Sequence, residues 1–580
     1  MHPPKPTCRF GVYLIVTLLT MVSFRASTED ESSRPTTSPT ENLIYIVLAA
    51  ELAAKRDQPD IALEYYLKAA SMSQDPAIAE QATQWAVTFQ APEPAMVAAQ
   101  IWAKNAPNDL QPQLVVMTLF IGQSVDKAKP YLKQAILIAP QDLDQQLAAI
   151  QGRLSKKSAG NLKIALESIA KELPKNPHAA LVAGQSAALE GDISNANQWI
   201  DKALSLKPDL TTAITLKSRL LRFTDKNDTR ALKFLDEKLK TFPNNAELRL
   251  FYASALLDAN RLNDAVIHLK KLTQNKVYGG QALLFLGEIY VSAQKYSEAK
   301  NYLKLASALE NTDERKTAEY LLGSIAEIEG NTKDALGWYL DISPGTLHVQ
   351  AVLRASRLLI DERDFSRALY VLRDATPRTV EEQKQLLLAE VELLITSHQL
   401  KEADELTSEL MEKAPQDPDI IYAHAQVATK LKRFEIAEKD LKSLLEKDSR
   451  NPDVLNALAY LLAFQKDRLE EAKNYATQAL QLSPNHPFYL DTAGWIAYQL
   501  GNKAESLIFL KKAASLSPDP EIAAHLGEVL WSTGSKDEAL KLWEIALKKD
   551  PNNDILLDTL TRLKTNLSLP GAAPLASTQP

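Results

Sequence analysis

The feature that most constrains this chain is a small residue that returns about every 34 positions along most of its length. Fifteen such positions align between residues 62 and 539, with spacings of 31 to 37 residues. In nine of the fifteen cases a proline follows twelve residues later, where it would end a helix. The positions are Ala62, Ala95, Ala128, Ala165, Ala196, Ala231, Ala265, Ala299, Ala335, Ala368, Ala403, Ala437, Ala472, Ser506 and Ala539. A fixed period of this length predicts a row of similar two-helix units rather than one globular core.

The composition agrees with a helical repeat. Single hydrophobic cores stop growing near about 250 to 300 residues, so a chain of 580 residues would ordinarily divide into several globular domains. In a repeat array each unit buries its apolar face against its neighbours, and length is not limited in this way. Alanine and leucine are abundant, whereas glycine contributes only 18 residues and aromatic residues 7%. These proportions favour helices.

The individual repeats resemble tetratricopeptide (TPR) units. Residues 181–208 place Gly184 where two helices would cross and Gly191 in the turn between them. The same pattern recurs at residues 283–306 and 522–551. Close approach of two helix backbones requires glycine or alanine at the crossing, because a larger side chain would overpack it. The resemblance implies an all-α TPR superhelical solenoid of about 13 to 15 helical hairpins with a C-terminal capping helix and a concave groove lined by the first helix of each hairpin.

The domain organisation follows from this register. We expect the TPR solenoid over residues 42–551, a capping helix over 552–566 and a disordered tail over 567–580. Residues 1–26 are expected to be a signal peptide or a signal anchor. Residues 27–41 are rich in Ser, Thr, Pro and acidic residues and are expected to be a disordered linker.

The N-terminal segment predicts export from the cytoplasm. Lys5 and Arg9 precede an uncharged apolar run at residues 10–24, which has the length of a signal-peptide core and is short for a membrane span. Phe24 and Arg25 fit a small-residue cleavage site poorly, so an uncleaved anchor remains an alternative. We therefore expect a periplasmic protein, either free or held to the membrane only by this segment.

Several classes of function are not expected. The net charge is −7, with no basic stripe that would bind nucleic acid. The single cysteine, Cys8, precedes the apolar run, which rules out disulfides and cysteine zinc sites in the repeats. No hydrolase, phosphate-loop or zinc-protease motif is present, and the eight histidines are interpreted as ordinary surface or core residues. The sequence thus predicts a protein without catalytic activity, cofactor or metal site.

The register predicts which residues face the groove in the last three repeats. Aromatic side chains on such a surface commonly anchor protein partners. The predicted protein-binding residues are Tyr460, Trp495, Tyr498, Glu528 and Trp531. Asn456, Phe464 and Asp491 occupy equivalent positions of the register. The alternative for Trp495 and Trp531 is packing in the core between helices.

Two stretches resemble a narrower family. Residues 48–70 and the closing run 456–550, with its segments DTAGWIAYQLG and EIAAHLGEVLWSTGSKDEAL, are similar to large envelope TPR proteins of Gram-negative bacteria. That resemblance implies a scaffold that serves as adaptor for a periplasmic carboxyl-terminal processing protease and delivers peptidoglycan hydrolases to it. Family members carry a lipid-modified cysteine after the signal, which this sequence lacks. The alternative is a TPR assembly factor of a polysaccharide-export or secretion machine.

Overall fold

The computed structural model describes residues 43–138, 143–225, 228–310 and 312–563. Within these ranges the chain forms 31 α-helices and no β-strand, which confirms the all-α prediction. The predicted signal segment at 1–26, the linker at 27–41, the tail at 567–580 and the helix-ending Pro140 lie outside the described residues. None of the described helices combines the length and the apolar character that crossing a lipid bilayer requires.

The chain divides into two compact units, Met1–Leu272 and Thr273–Pro580. The helices of the N-terminal unit are α1 (Leu43–Lys55), α2 (Pro59–Met72), α3 (Pro76–Thr88), α4 (Pro92–Asn105), α5 (Leu110–Ile121), α6 (Val125–Ile138), α7 (Leu143–Gln151), α8 (Lys156–Glu172), α9 (Pro177–Leu189), α10 (Ile193–Leu206), α11 (Thr211–Asp225), α12 (Asp228–Thr241), α13 (Ala246–Asp258) and α14 (Leu262–Lys270).

The C-terminal unit consists of eight hairpins followed by one further helix. Its helices are α15 (Gly279–Ser292), α16 (Tyr296–Ser307), α17 (Asp313–Ile328), α18 (Thr332–Asp341), α19 (His348–Asp361), α20 (Phe365–Asp374), α21 (Val380–Thr396), α22 (Leu400–Lys413), α23 (Pro418–Lys430), α24 (Phe434–Lys447), α25 (Pro452–Ala463), α26 (Leu469–Leu482), α27 (Pro487–Gln499), α28 (Lys503–Leu516), α29 (Pro520–Ser532), α30 (Lys536–Lys549) and α31 (Asp554–Arg562). A single 3₁₀ turn, Lys466–Arg468, precedes α26. The last helix, α31, lies within the segment expected to cap the solenoid and packs on α29.

The small-residue register marks the centre of the packing. All fifteen small residues lie in the second helix of a hairpin, and none is more than 4% exposed. The prediction that they sit where helices approach closely is therefore confirmed. Because a solenoid has no single core, these positions repeat one local solution to helix packing fifteen times.

Glycine occupies the partner position on the first helix of several hairpins. A Cβ atom at Gly184 would lie 2.7 Å from Cδ1 of Ile200, and one at Gly494 would lie 2.7 Å from Cγ of Leu510. These distances are too short for real carbon atoms, so any side chain would push the two helices apart. In both hairpins the glycine precedes its partner by sixteen residues. The spacing of sixteen residues between the glycine and its partner therefore marks the helix crossing in the sequence.

The start of several first helices is also readable in the sequence. Asn176, Asp417 and Asp519 each accept hydrogen bonds from backbone N–H groups of the first turn, and a proline follows each of them. Such side chains satisfy N–H groups that have no partner within the helix, and proline at the first helical position has no N–H to satisfy. The hairpin turns then need a left-handed residue, which is Gly191 at φ 77° in one hairpin and Lys432 at φ 59° in another.

Candidate functional site

The C-terminal unit contains a cavity of about 320 Å³ on the face formed by its first helices. Residues from α21, α23, α25, α27 and α29 line it, so five successive hairpins contribute to one concave site. We call it the inner cavity. Its walls include the aromatic side chains of Tyr422, Tyr460 and Phe488, together with Asn456 on α25. A site of this size can hold one or two side chains of a bound partner.

Two carboxylates and a histidine meet at the base of the inner cavity. Asp491 on α27 and His525 on α29 are each 4% exposed, and Nδ1 of His525 lies 2.9 Å from Oδ2 of Asp491. Glu521 is on the same helix as His525, one turn earlier, and one ligand-type atom from each of the three residues lies within 4.8 Å of the others. Asp491 and Glu521 line the cavity, whereas His525 stands behind Asp491.

Burial and charge act together on the pKa values of this cluster. Burial by itself lowers the pKa of His525, but the contact with Asp491 outweighs burial and raises it. The pKa of Glu521 is also raised, chiefly by burial and further by the negative charge of Asp491. Tyr460 donates a hydrogen bond of 3.0 Å to Oε1 of Glu521, and burial raises the pKa of this phenol. The cluster therefore pairs the buried Asp491 with a histidine whose protonated form is favoured, whereas Glu521 accepts a hydrogen bond only from Tyr460 among the described residues.

The residues that the register placed in the groove fall into two groups. Tyr460, together with Asn456 and Asp491, lines the inner cavity. Trp495 stacks on the ring of His525 with centroids 4.2 Å apart, and Tyr498 lies 5.4 Å from Trp495. Trp495 therefore packs against the His525 side of the buried cluster, and Tyr498 packs against Trp495.

The other two residues are engaged at the end of the unit. Glu528 is 5% exposed and accepts a hydrogen bond of 2.7 Å from Nη1 of Arg562 on α31. Trp531 packs against Trp543, with ring centroids 5.7 Å apart, and Lys536 lies over its face. Both side chains hold the final helices together, and a role in contacting a partner stays a prediction for all five residues.

Glu521 and His525 were not among the residues predicted from sequence. Their spacing of four residues places both side chains on one face of α29, and Asp491 precedes His525 by 34 residues, close to one repeat. Equivalent positions on neighbouring first helices are close in space, so the sequence did contain a signal for this cluster. The histidine was instead interpreted as an ordinary residue, because no metal-binding motif includes it.

Long-range ion pairs tie the C-terminal unit together. Arg363, in the turn between α19 and α20, pairs with Asp550, and His398, in the turn after α21, lies 3.2 Å from Asp554. These contacts join two hairpin turns to the region where α31 begins. They bring together residues that are roughly five repeats apart in the sequence.

Comparisons with known proteins assign the family. A family model described as tetratricopeptide repeat matches residues 489–520, and one described as coatomer epsilon subunit matches residues 247–494. The TPR repeat-containing protein PA4667 of Pseudomonas aeruginosa is 30% identical over 495 residues, which cover 84% of this chain and 82% of that protein. The chain therefore belongs to the tetratricopeptide repeat proteins, whose members are in general non-catalytic scaffolds that bind other proteins.

More distant similarities involve shorter segments or looser superpositions. The small glutamine-rich tetratricopeptide repeat-containing protein 2 of Mycosarcoma maydis is 27% identical over 119 residues, 19% of this chain and 34% of that protein. The TPR protein TTC0263 of Thermus thermophilus is 26% identical and covers 31% of this chain and 99% of its own, with a TM-score of 0.29. The Cut9–Hcn1 assembly gives 13% identity, 90% and 96% coverage and a TM-score of 0.34.

Proposed function

We propose that this protein is a non-catalytic adaptor of the bacterial cell envelope that seats a partner protein in its inner cavity. The observation that carries the proposal is the cavity itself, in which five first helices present aromatic and charged side chains to one concave space. Protein-binding sites derive most of their affinity from a few partly buried aromatic and charged anchors. Tyr422, Tyr460 and Phe488 supply such anchors here.

The finer role follows from the resemblance of residues 48–70 and 456–550 to envelope TPR adaptors. We propose that the partners are a carboxyl-terminal processing protease and the peptidoglycan hydrolases that it degrades. In this role the protein brings protease and substrate together and takes no part in peptide-bond cleavage. Neither matching family model describes a catalytic family, which is consistent with a scaffold.

A periplasmic location is part of the same proposal, and it rests on the N-terminal apolar run. Fusion of residues 1–45 to a reporter that is active only outside the cytoplasm should give an active reporter. A matched fusion in which residues 10–24 are deleted should be silent. Activity from both fusions, or from neither, would contradict the export proposal.

Site-specific photocrosslinking tests where the partner binds. A photoreactive phenylalanine analogue at Phe488, at the cavity, should capture the partner in living cells. The same analogue at Ile508 on α28 is a matched control, because Ile508 is 69% exposed but does not line the cavity. Captured proteins would be identified by mass spectrometry after purification from the detergent-solubilised envelope.

The identity of the captured proteins decides between the two candidate roles. A processing protease or a peptidoglycan hydrolase crosslinked from Phe488, and not from Ile508, supports the adaptor. Polysaccharide synthases or secretion-channel subunits would instead support an assembly factor. Equal capture from both positions would mean that the inner cavity is not the binding surface.

A further inference from the structure

The inner cavity carries more negative than positive charge. Among its lining residues are three carboxylates, Glu392, Asp491 and Glu521, and one cation, Lys430. Lys430 and Glu392 are exposed, whereas Asp491 is only 4% exposed. The cation that lines the cavity therefore stands near solvent, and inside the cavity Asp491 is paired with His525, which leaves Glu521 as the deep carboxylate without a basic partner among the described residues. An occupant of the base of the cavity would meet an environment that favours a cation.

The two deep carboxylates are differently satisfied. Asp491 is held by His525, with Nδ1 of the ring 2.9 Å from Oδ2 and 3.1 Å from Oδ1. Glu521 accepts one hydrogen bond, from Tyr460, at Oε1. A carboxylate can accept several hydrogen bonds, and a poorly paired one in a partly buried site is unfavourable unless a cation or donor reaches it. Glu521 therefore has acceptor capacity left for an incoming N–H group.

Asn456 provides a second, independent sign that a donor is missing. Its Oδ1 atom is shielded from solvent, and none of the described residues donates a hydrogen bond to it. An unpaired buried acceptor costs roughly 1 to 3 kcal/mol, so this atom calls for a donor, either a water molecule or a group of a bound partner. Asn456 lines the same cavity as Glu521. Asn456 and Glu521 thus both line the inner cavity, and both can accept a further hydrogen bond.

The walls suit the aliphatic part of a long basic side chain. Tyr422, Tyr460 and Phe488 present aromatic surface around the carboxylates. Lysine and arginine pack their methylene groups on such surfaces, and their charged heads are attracted to aromatic faces. A cavity of about 320 Å³ accommodates one such side chain with a neighbouring residue.

We propose that the inner cavity is a recognition pocket for a single basic side chain, lysine or arginine, of the bound protein partner, with Glu521 and Asn456 as its hydrogen-bond acceptors. This inference rests on the proposed function and names the chemistry by which the partner is selected. His525 pairs with Asp491 and holds it in place, so Glu521 carries the charge that selects the basic side chain. Trp495, stacked on His525, keeps that ring in place.

A metal ion is the competing occupant, because one His and two carboxylate atoms lie within 4.8 Å of one another. The geometry favours the basic side chain. His525 does not line the cavity, and its Nδ1 already bonds to Asp491. A metal bound by all three residues would have to break that hydrogen bond and move the ring off Trp495.

Peptide arrays read with the full-length protein in detergent test the proposal. The probes are random decapeptides, each made in three forms in which arginine and lysine are retained, replaced by neutral citrulline, or replaced by norleucine. Peptides that bind should contain a basic residue, and its replacement by citrulline should lower the affinity at least about tenfold. Citrulline keeps the size and most of the hydrogen-bonding capacity of arginine, so the loss reports on charge.

Variants connect that preference to the cavity. Glu521→Gln keeps the acceptor for Tyr460 but removes the charge, and it should reduce the arginine-to-citrulline affinity ratio to near one. Glu470→Gln, at an exposed position on α26, is the matched control and should leave the ratio unchanged. Circular dichroism would establish that both variants remain helical. An unchanged ratio in Glu521→Gln overturns the proposal.

Two further arms separate other cations from a protein side chain. In calorimetric titration with Zn²⁺, the unmodified protein should show no tight binding at this cluster. Neither Glu521→Gln nor His525→Gln should therefore remove a zinc-binding signal. Spermidine should fail to displace the selected peptides at concentrations similar to theirs. Tight zinc binding lost in both variants, or efficient displacement by spermidine, would overturn the assignment of the pocket to a protein side chain.

The outcomes also separate this inference from the proposed function. Capture of a partner from Phe488 without any arginine-to-citrulline difference would refute the basic-residue pocket and leave the adaptor role intact. Selection of basic peptides without capture of any envelope protein from Phe488 would support the pocket and refute the adaptor role.

Discussion

The two units bury different kinds of polar groups. Among the described residues, the buried polar side chains of the N-terminal unit are all uncharged, namely Thr83, Gln113, Gln151, Ser186, Thr211 and Ser218. The C-terminal unit buries five titratable side chains, which are Glu319, Glu390, Asp491, His525 and Glu528. Each of these five contacts an oppositely charged or ionisable partner.

The difference shows which buried polar groups the repeat itself requires and which ones a binding site adds. A helical hairpin packs well with alanine, leucine and neutral polar groups, as the N-terminal unit shows. Burying a charge is unfavourable unless its partner is well placed, so each buried charge in the C-terminal unit needs a specific partner that a simple hairpin does not. Asp491 and His525 adjoin the inner cavity, Glu319 pairs with an arginine on its own helix, and Glu390 and Glu528 each bind an arginine from another helix.

The largest expected effect concerns the independence of the two units. Trp543 is fully buried, and Gly527 makes room for its ring. We expect Trp543→Ala to cost about 3 to 5 kcal/mol of stability, since it leaves a large cavity. Because repeats couple mainly to their neighbours, hydrogen-exchange protection should fall around α29 to α31 and remain unchanged in α1 to α14. Equal loss in both units would show that the division into units has no energetic meaning.

The corresponding change in the N-terminal unit is smaller. Ala196 is fully buried in α10, close to the point where Gly184 of α9 contacts Ile200 of α10. We expect Ala196→Leu to cost about 1 to 3 kcal/mol, because the helices cannot separate far enough for the extra atoms. Protease-protection mapping should show loosening near α9 to α12. Ala196→Gly, which adds no volume, is the control and should not separate the helices.

The pH dependence of stability should have opposite signs in the two units. Burial first, and then Arg249 and Lys271, lower the pKa of His268 in the N-terminal unit. A depressed histidine pKa contributes stability above its unfolded value of about 6.5, and this is lost as the pH falls through the folded value. The raised pKa values of His525 and Glu521 have the reverse consequence: their contributions are present at lower pH and lost as the pH rises.

Acidification from about pH 8 to pH 6 should therefore destabilise the N-terminal unit and stabilise the C-terminal unit. Urea titrations followed by hydrogen exchange can resolve the two midpoints. His268→Gln and His525→Gln should each remove the dependence from their own unit only. Parallel shifts of both midpoints in the unmodified protein would contradict the contrast in buried charge.

The smallest expected effect tests the register itself. Ser506 is the one register position that is not alanine, and among the described residues none hydrogen-bonds its buried Oγ. Ser506→Ala should raise the free energy of unfolding by about 1 kcal/mol, because it removes an unpaired polar group from the core. Ala539→Ser, at the equivalent position one hairpin later, should lower it by a similar amount. If either substitution changed the free energy of unfolding in the reverse direction, the two positions would not be equivalent.

Much of the fold could be predicted from sequence because a period constrains every repeat at once. Ala196 and its equivalents fixed the register, and Gly184 identified a crossing that the structure confirms. The site was only partly predictable. Register placed Tyr460 and Asp491 on the inner face, but the pairing of Tyr460 with Glu521, 61 residues later, depends on how several hairpins curve. That curvature sums small rotations between repeats, which sequence periodicity does not specify.

The central claim is that a protein partner binds the inner face of the C-terminal unit. Hydrogen exchange of the full-length protein, with and without the partner captured from Phe488, tests it most directly. The account predicts new protection in α21, α23, α25, α27 and α29, little change in their outer partners α22, α24, α26 and α28, and none in α1 to α14. Protection confined to the N-terminal unit, or to the outer helices, would contradict it.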